Sequence, residues 1–282
     1  MTKDQQPRVN FKGVMCGVGL FTETLKQVDT SDLLLNLGLV DQHGYEEITN
    51  NIKKMKELVG SGNVTKALKI YTQTFGTTTN FSDPKFRLRR TGFLYNGNAM
   101  KPTEPEEHLK FVELMKNETF REDIHAGKNA SFRGRDSIIM MKLIKDLYRS
   151  IDKELEFLLD NGTKVLIFLG QLDLKVSNVV TEEFVRGLKW NGHEDFKGAQ
   201  QKPWWGKKDE KDFSGYFISK KVEEGGTLML VKLLTSGHYP FFDQPHASTV
   251  MVRKFISDEE FITKKVNKSG VYVTDPSAKD EL

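Results

Sequence analysis

The sequence has 282 residues, of which 38% are hydrophobic and 29% are charged, proportions that are typical of a globular protein. Its 42 Lys and Arg residues against 39 Asp and Glu residues leave a formal charge of +3, which is too small to indicate a nucleic-acid partner. No apolar run approaches the ~20 residues that cross a bilayer, so we expect no insertion into a membrane.

The first part of the chain predicts one strand followed by a helical region. Residues 9–20 (VNFKGVMCGVGL) predict a buried strand that ends in a glycine-rich turn, with Cys16 buried in it. Cys16 is the only cysteine, so no internal disulfide can form. Residues 31–116 have a helical and irregular pattern. Residues 137–159 carry apolar side chains at spacings of three and four, which predicts one continuous helix.

The second part predicts alternating strands and helices. Residues 165–169 (VLIFL) follow a turn and form a wholly apolar run, which is typical of a parallel strand covered on both faces. A helix is predicted to begin near Thr181, and strands are predicted at 215–220 and 227–234. Pro245 is expected in the first turn of a further helix. The buried stripe of that last helix is predicted to consist of Ala247, Val250, Met251 and Phe255.

An acid and a histidine follow two of these strands. Asp173 comes shortly after the strand at 165–169, and His238 comes after the strand at 227–234. Taken singly, Asp173 fits a helix-cap carboxylate and His238 fits a satisfied histidine at a strand end. Together they give the order strand, acid, helix, strand, histidine, helix, which is how an α/β-hydrolase chain ends.

Several segments resemble a known family. Residues 165–173 (VLIFLGQLD) resemble the acid-bearing strand of the serine carboxypeptidases, and residues 235–245 (TSGHYPFFDQP) resemble their histidine motif. Residues 9–20, 124–127 (IHAG) and 190–192 (WNG) are similar to further elements of the family, in the same order. The sequence is identified as a member of this family, in its vitellogenic-like and cathepsin-A-like branches.

The resemblance spans residues 9–256 and implies an α/β fold, namely an α/β-hydrolase core with an inserted, mainly helical lid and without its N-terminal strands. It implies removal of C-terminal residues from peptides or proteins by a Ser–Asp–His triad, without metal or cofactor. His238 would be the general base, and Asp173 would fix its tautomer and stabilise the imidazolium. Family members often form dimers, so a homodimer is a further expectation.

The nucleophile is where this sequence departs from the family. The family's serine lies in a G-E-S-Y-A-G elbow ahead of the strand that matches residues 9–20, and no G-x-S-x-G pattern occurs in the 282 residues. We therefore expect a truncated serine carboxypeptidase that is inactive alone. The alternative is a non-catalytic binding protein of the same lineage.

Other candidate residues favour structural roles. Ser236 is expected in a turn rather than as a substitute nucleophile. His193 and Glu194 do not begin a zinc-binding H-E-x-x-H helix, because position 197 is a lysine. The three tryptophans fit packing under the lid better than lining a substrate cleft; they are Trp190, Trp204 and Trp205. The expected organisation is a core strand segment (1–30), a lid (31–116), the rest of the core (117–256) and a solvated tail (257–282).

Both the chain end and the acceptor motifs indicate the lumen of the endoplasmic reticulum. The sequence ends in the retention signal that a luminal receptor reads, formed by Lys279, Asp280, Glu281 and Leu282. Six asparagines lie in N-x-[ST] glycosylation motifs: Asn63, Asn80, Asn117, Asn129, Asn161 and Asn267. The first residues lack an apolar leader of 7–15 residues, so we expect the natural chain to start further upstream.

Overall fold

The computed structural model divides the chain into two compact units. The described residues are 9–75, 89–127, 129–132, 142–143, 146, 149–207, 209–223, 225–269 and 271–274. The α/β unit consists of Met1–Phe21, Ser150–Leu172 and Asn178–Leu282, and the helical unit consists of Thr22–Arg149 and Asp173–Ser177.

The helical unit is built around a long amphipathic helix. Its described helices are α1 (Thr24–Gln27), α2 (Ser31–Asn36), α3 (Gln42–Gly60), α4 (Val64–Phe75), α5 (Glu107–Lys116) and α6 (Glu118–Asp123). Asp41 caps α3, because its carboxylate accepts a hydrogen bond from the Gly44 N–H at 2.7 Å. Ile48, Ile52 and Met55 form the buried stripe of α3 at helical spacing.

A five-stranded sheet forms the centre of the α/β unit. Its strands are β1 (Gly13–Gly17), β2 (Lys164–Gly170), β3 (Lys202–Trp204), β4 (Gly215–Lys221) and β5 (Thr227–Leu233). The strand order is β1-β2-β5-β4-β3. The pairs β1–β2 and β2–β5 are parallel, whereas β4 runs antiparallel to both β5 and β3.

Helices and a small hairpin complete this unit. The helices are α7 (Asp152–Asp160), α8 (Asn178–Gly187), α9 (His193–Gly198), α10 (Pro240–Asp243) and α11 (Pro245–Ser257). Two short antiparallel strands, β6 (Lys264–Val266) and β7 (Tyr272–Thr274), form a separate sheet. No helix in the described ranges is long and apolar enough to span a membrane.

The apolar run in β2 forms a strand because both faces of the sheet are covered. Val165, Ile167 and Leu169 pack in one core with residues of α7 and α8, and Leu166 and Phe168 pack in a second core with α11. Successive side chains of a strand point to opposite faces, so a strand between two cores needs apolar residues throughout. Full burial of each such side chain contributes about 1.5–3 kcal/mol. The predicted parallel strand is confirmed.

The helix predicted over residues 137–159 is wrong as one continuous element. Residues 149–151 are not helical, and α7 begins only at Asp152. The Ile151 N–H donates to the Phe21 carbonyl at 3.0 Å, so a tertiary hydrogen bond replaces the one that a continuous helix would make. Residues 137–141, 144–145 and 147–148 of the predicted helix lie outside the described part of the chain.

Three further expectations need adjustment. Cys16 lies in β1 as expected but is only half-buried, and this partial burial raises the pKa of its thiol. The helix expected near Thr181 begins at Asn178. The expected solvated tail is folded in part. The backbone N–H of Trp205 donates to the Ile262 carbonyl at 2.9 Å, and the Trp205 ring packs on the Tyr272 ring at a centroid distance of 5.1 Å.

Candidate active site

The loop that follows β2 is tied to the loop that follows β5. The Gln171 N–H donates to the Leu233 carbonyl at 3.0 Å, which extends the β2–β5 pairing by one step. The Leu172 N–H then donates to the Ser236 carbonyl at 2.7 Å. Leu172, which precedes Asp173, is thereby hydrogen-bonded to Ser236, which lies two positions before His238.

Asp173 is a buried carboxylate, with 2% of the residue exposed. Its Oδ1 accepts hydrogen bonds from the N–H groups of Lys175 at 2.7 Å and Val176 at 3.1 Å. These bonds close a turn ahead of α8, so Asp173 is not the cap residue of that helix. Residues 173–177 belong to the helical unit, where the Ser177 N–H donates to the Gln27 carbonyl at 2.8 Å.

His238 lies in the α/β unit, between the end of β5 and the start of α10. The residue is partly exposed, and its ring packs edge-on against the ring of Tyr239 at a centroid distance of 5.2 Å. The turn before it passes very close to β2. A Cβ atom at Gly170 would lie 2.0 Å from the Gly237 carbonyl oxygen, so this crossing requires glycine.

The residues with expected structural roles are buried. Ser236 has no exposed surface, and its hydroxyl is 3.3 Å from the Gly237 carbonyl that it donates to, so it is not presented as a nucleophile. The tryptophans are also buried, but their described neighbours belong to the α/β unit rather than to a lid; they are Trp190, Trp204 and Trp205. Among the described residues, no cluster of three or more His, Cys, Asp or Glu side chains could hold a metal ion.

His238 lies in the loop of residues 234–239, here called the histidine loop, and sequence reasoning missed the residues that support it. Thr235 has a left-handed backbone with φ of 53°, and the Asp243 carboxylate accepts a hydrogen bond from the Gly237 N–H at 2.8 Å. Asp243 stands in the Asp-Gln-Pro end of residues 235–245, the segment that resembles the family's histidine motif. Nothing in the residue type signals the strained backbone of Thr235, because threonine disfavours that conformation.

The acceptor asparagines within the described ranges are all exposed. They are Asn63, Asn117, Asn129, Asn161 and Asn267. Asn267 forms a turn in which its side-chain oxygen accepts hydrogen bonds from the N–H groups of Ser269 at 3.0 Å and Val271 at 2.9 Å. Asn80 and the chain end, with Lys279, Asp280, Glu281 and Leu282, lie outside the described residues.

Comparison with known proteins decides the lineage. The family model of the serine carboxypeptidases matches residues 1–258. The chain belongs to the serine carboxypeptidase family. It is 28% identical over 254 residues to the human probable serine carboxypeptidase CPVL, with 89% of this chain and 51% of the relative covered. It is also 28% identical to the venom serine carboxypeptidase of Apis mellifera, with 90% of this chain and 52% of the relative covered.

A solved structure supports the fold of this serine carboxypeptidase family member. The prohormone-processing carboxypeptidase Kex1(Δ)p from Saccharomyces cerevisiae superposes with a TM-score of 0.61 at 17% identity, covering 93% of this chain and 57% of that one. The fold is therefore the α/β-hydrolase fold that the resemblance implied. The chain spans about half the length of the curated relatives it matches.

Proposed function

We propose that the protein is a serine-type carboxypeptidase in which Asp173 and His238 are the acid and the base of the triad. The observation that carries the proposal is the family match over residues 1–258, which includes both residues. The order of the fold supports it as well, because the two residues follow β2 and β5, which are neighbouring parallel strands. Carboxyl ends of neighbouring parallel strands meet at one edge of a sheet.

In the proposed reaction His238 takes the proton from a serine hydroxyl as the serine attacks the last peptide carbonyl. His238 then passes this proton to the leaving amine, the peptide C–N bond breaks, and water hydrolyses the acyl-enzyme that remains. Asp173 holds the imidazole in the tautomer that accepts the proton and stabilises its cationic form. The substrates of this reaction are the C-termini of peptides or proteins.

The proposal assigns the nucleophilic serine to residues outside these 282, since none of the serines here stands in a G-x-S-x-G pattern. A triad without its nucleophile retains only a small fraction of its catalysis, so the 282 residues alone are expected to be inactive. The same missing motif favours one alternative, a carboxypeptidase-like protein that binds peptides without hydrolysing them.

The test compares two histidine variants of the natural, full-length protein. His238→Gln removes the proposed base, and His43→Gln is the matched control on the exposed surface of the helical unit. Release of the C-terminal residue from an N-blocked dipeptide measures activity, and a fluorophosphonate label measures nucleophilic serine. We expect His238→Gln to lose at least about 10³-fold in kcat/KM while His43→Gln stays at the wild-type level.

Two results would contradict this function. Full turnover by His238→Gln would remove His238 from the mechanism. A wild-type protein that takes no label and releases no residue, yet binds the dipeptide, would favour the non-catalytic alternative.

We also propose that the protein is a glycoprotein retained in the lumen of the endoplasmic reticulum, with the retention receptor as a partner. The exposed acceptor asparagines and the four residues 279–282 support this proposal. Peptide N-glycosidase should lower the intact mass of the purified protein, and deletion of residues 279–282 should send the protein into the medium. An unchanged mass together with unchanged retention would contradict it.

A further inference from the structure

Asp243 contacts the backbone on both sides of His238. Its carboxylate Oδ2 accepts a hydrogen bond from the Gly237 N–H at 2.8 Å. Its own backbone N–H donates to the Tyr239 carbonyl at 2.9 Å. The second bond belongs to the backbone of helix α10, which Asp243 ends, so the Asp243 carboxylate links the residue before His238 to the helix that begins just after it.

The chain just ahead of this contact is held in a strained conformation. Thr235 has a φ of 53°, a left-handed backbone that is unfavourable for a β-branched residue. The Gln171 side-chain oxygen accepts a hydrogen bond from the Thr235 N–H at 3.3 Å, and the Gln244 side-chain amide donates to the Thr235 hydroxyl. Contacts from two other segments thus impose the path of the loop.

The bond from Gly237 to Asp243 is suited to fixing that path. Gly237 is buried, so its N–H would lose a hydrogen-bond partner if the carboxylate were removed. A bond to an ionised carboxylate is about twice as strong as a neutral one. Helix α10 is itself anchored, because the Ser248 hydroxyl donates to the Pro240 carbonyl at 2.9 Å.

We propose that Asp243 is a positioning residue for His238: its carboxylate ties the backbone just before the histidine to helix α10, which begins just after it, and thereby fixes the direction of the imidazole. The inference rests on the proposed function, which makes His238 the base. Asp243 acts through His238 rather than on the substrate. Its loss leaves the fold of the α/β unit in place and lets the imidazole take several orientations.

The experiment observes the histidine directly. Protein carrying ¹³C at the histidine Cε1 positions is compared by NMR as wild type, Asp243→Ala, Asp243→Asn and the control Asp212→Asn. Asp212 is an exposed aspartate in the same unit. His238→Gln assigns the His238 signal, and the buried His193, in the same unit, reports whether the fold is intact.

We expect Asp243→Ala to split or broaden the His238 signal and leave the His193 signal in place. In the active protein kcat should fall about 10–100-fold while KM changes less than about twofold, because a small misplacement of a catalytic group costs rate rather than binding. Asp243→Asn keeps an oxygen acceptor and should lose less than about tenfold. Asp212→Asn should match the wild type.

An unchanged His238 signal in Asp243→Ala would overturn the inference, whatever the activity. If Asp243→Ala also loses the His193 signal, it has failed to fold, and Asp243→Asn decides instead, because its neutral oxygen makes a weaker bond to the Gly237 N–H. A shifted or broadened His238 signal in Asp243→Asn then supports the inference, and a signal identical to that of the wild type overturns it. If His238→Gln is as active as wild type, the proposed function fails, while the NMR comparison still decides whether Asp243 orients His238.

Discussion

Val18 illustrates how a single residue can store strain in this structure. It follows β1 with a φ of 46°, and its N–H donates to the Phe168 carbonyl at 3.0 Å. A left-handed backbone costs a β-branched residue roughly 1–2 kcal/mol, whereas asparagine tolerates it. The hydrogen bond to β2 holds Val18 in place, so the surrounding structure compensates for an unfavourable residue.

We therefore expect Val18→Asn to raise the free energy of unfolding by about 1 kcal/mol. Urea unfolding followed by circular dichroism measures the change. Val14→Asn is the opposite control, because Val14 lies in regular β1 backbone and packs against the core, so this variant should be less stable than wild type. A loss of stability in Val18→Asn would show that its apolar contacts outweigh the backbone strain.

Because the histidine loop passes close to β2, we expect a methyl group added at Gly170 to lower the stability of the protein strongly. In Gly170→Ala the new Cβ would lie 2.0 Å from the Gly237 carbonyl oxygen, and backbone atoms on both sides would have to move. We expect a loss of about 1–3 kcal/mol in the free energy of unfolding, measured in urea. Gly187→Ala is the matched control, since its added Cβ would meet no atom within 4 Å apart from the backbone of its own helix and its chain neighbours. Equal stability of the two variants would contradict the close crossing.

Helix α8 and strand β5 are linked by a partly buried carboxylate. Burial raises the pKa of Glu182. The hydrogen bonds and charges of Lys232 and Arg186 lower this pKa by more than burial raises it, so the net pKa lies below its ordinary value of 4.5. Arg186 Nε donates to Glu182 at 2.8 Å. Because the folded state lowers this pKa, the link contributes stability above pH 4.5, and the contribution is lost as pH falls through the folded value.

Glu182→Gln should accordingly lower the free energy of unfolding by about 1–2 kcal/mol at pH 7. The difference from wild type should shrink as the pH falls below 4.5, which urea unfolding at several pH values would measure. Glu183→Gln, at the exposed neighbouring position, is the control and should change little at either pH. A difference that does not depend on pH would exclude the charged link as its source.

Within the α/β unit, the sequence predicts strand β2 better than the start of α7 and the end of the chain. Residues 165–169 could be recognised because a strand between two cores must be apolar throughout. The break before Asp152 could not, because it depends on a hydrogen bond to Phe21, which is far away in the chain. The lysines of residues 257–282 favour a solvated tail, although the run 271–274 (VYVT) has the composition of a strand and forms β7.

The candidate site divides in the same way. Asp173 and His238 could be proposed from residue type and order alone, since the fold fixes where the acid and the base stand along the chain. The role of Asp243 depends on a short helix that turns back on the preceding loop, and no local pattern in the sequence indicates it. The family match over residues 1–258 includes all three of these residues.

A double-mutant cycle on kcat/KM for release of a C-terminal residue tests whether Asp173 and His238 act together in catalysis. Asp173→Asn, His238→Gln and the double variant are compared with wild type. If the two residues act as one acid–base pair, each single variant should lose about 10³–10⁴-fold or more, and the double variant should be no worse than the poorer single variant. Losses that multiply in the double variant, or full activity in either single variant, would show that the two residues are not an acid–base pair.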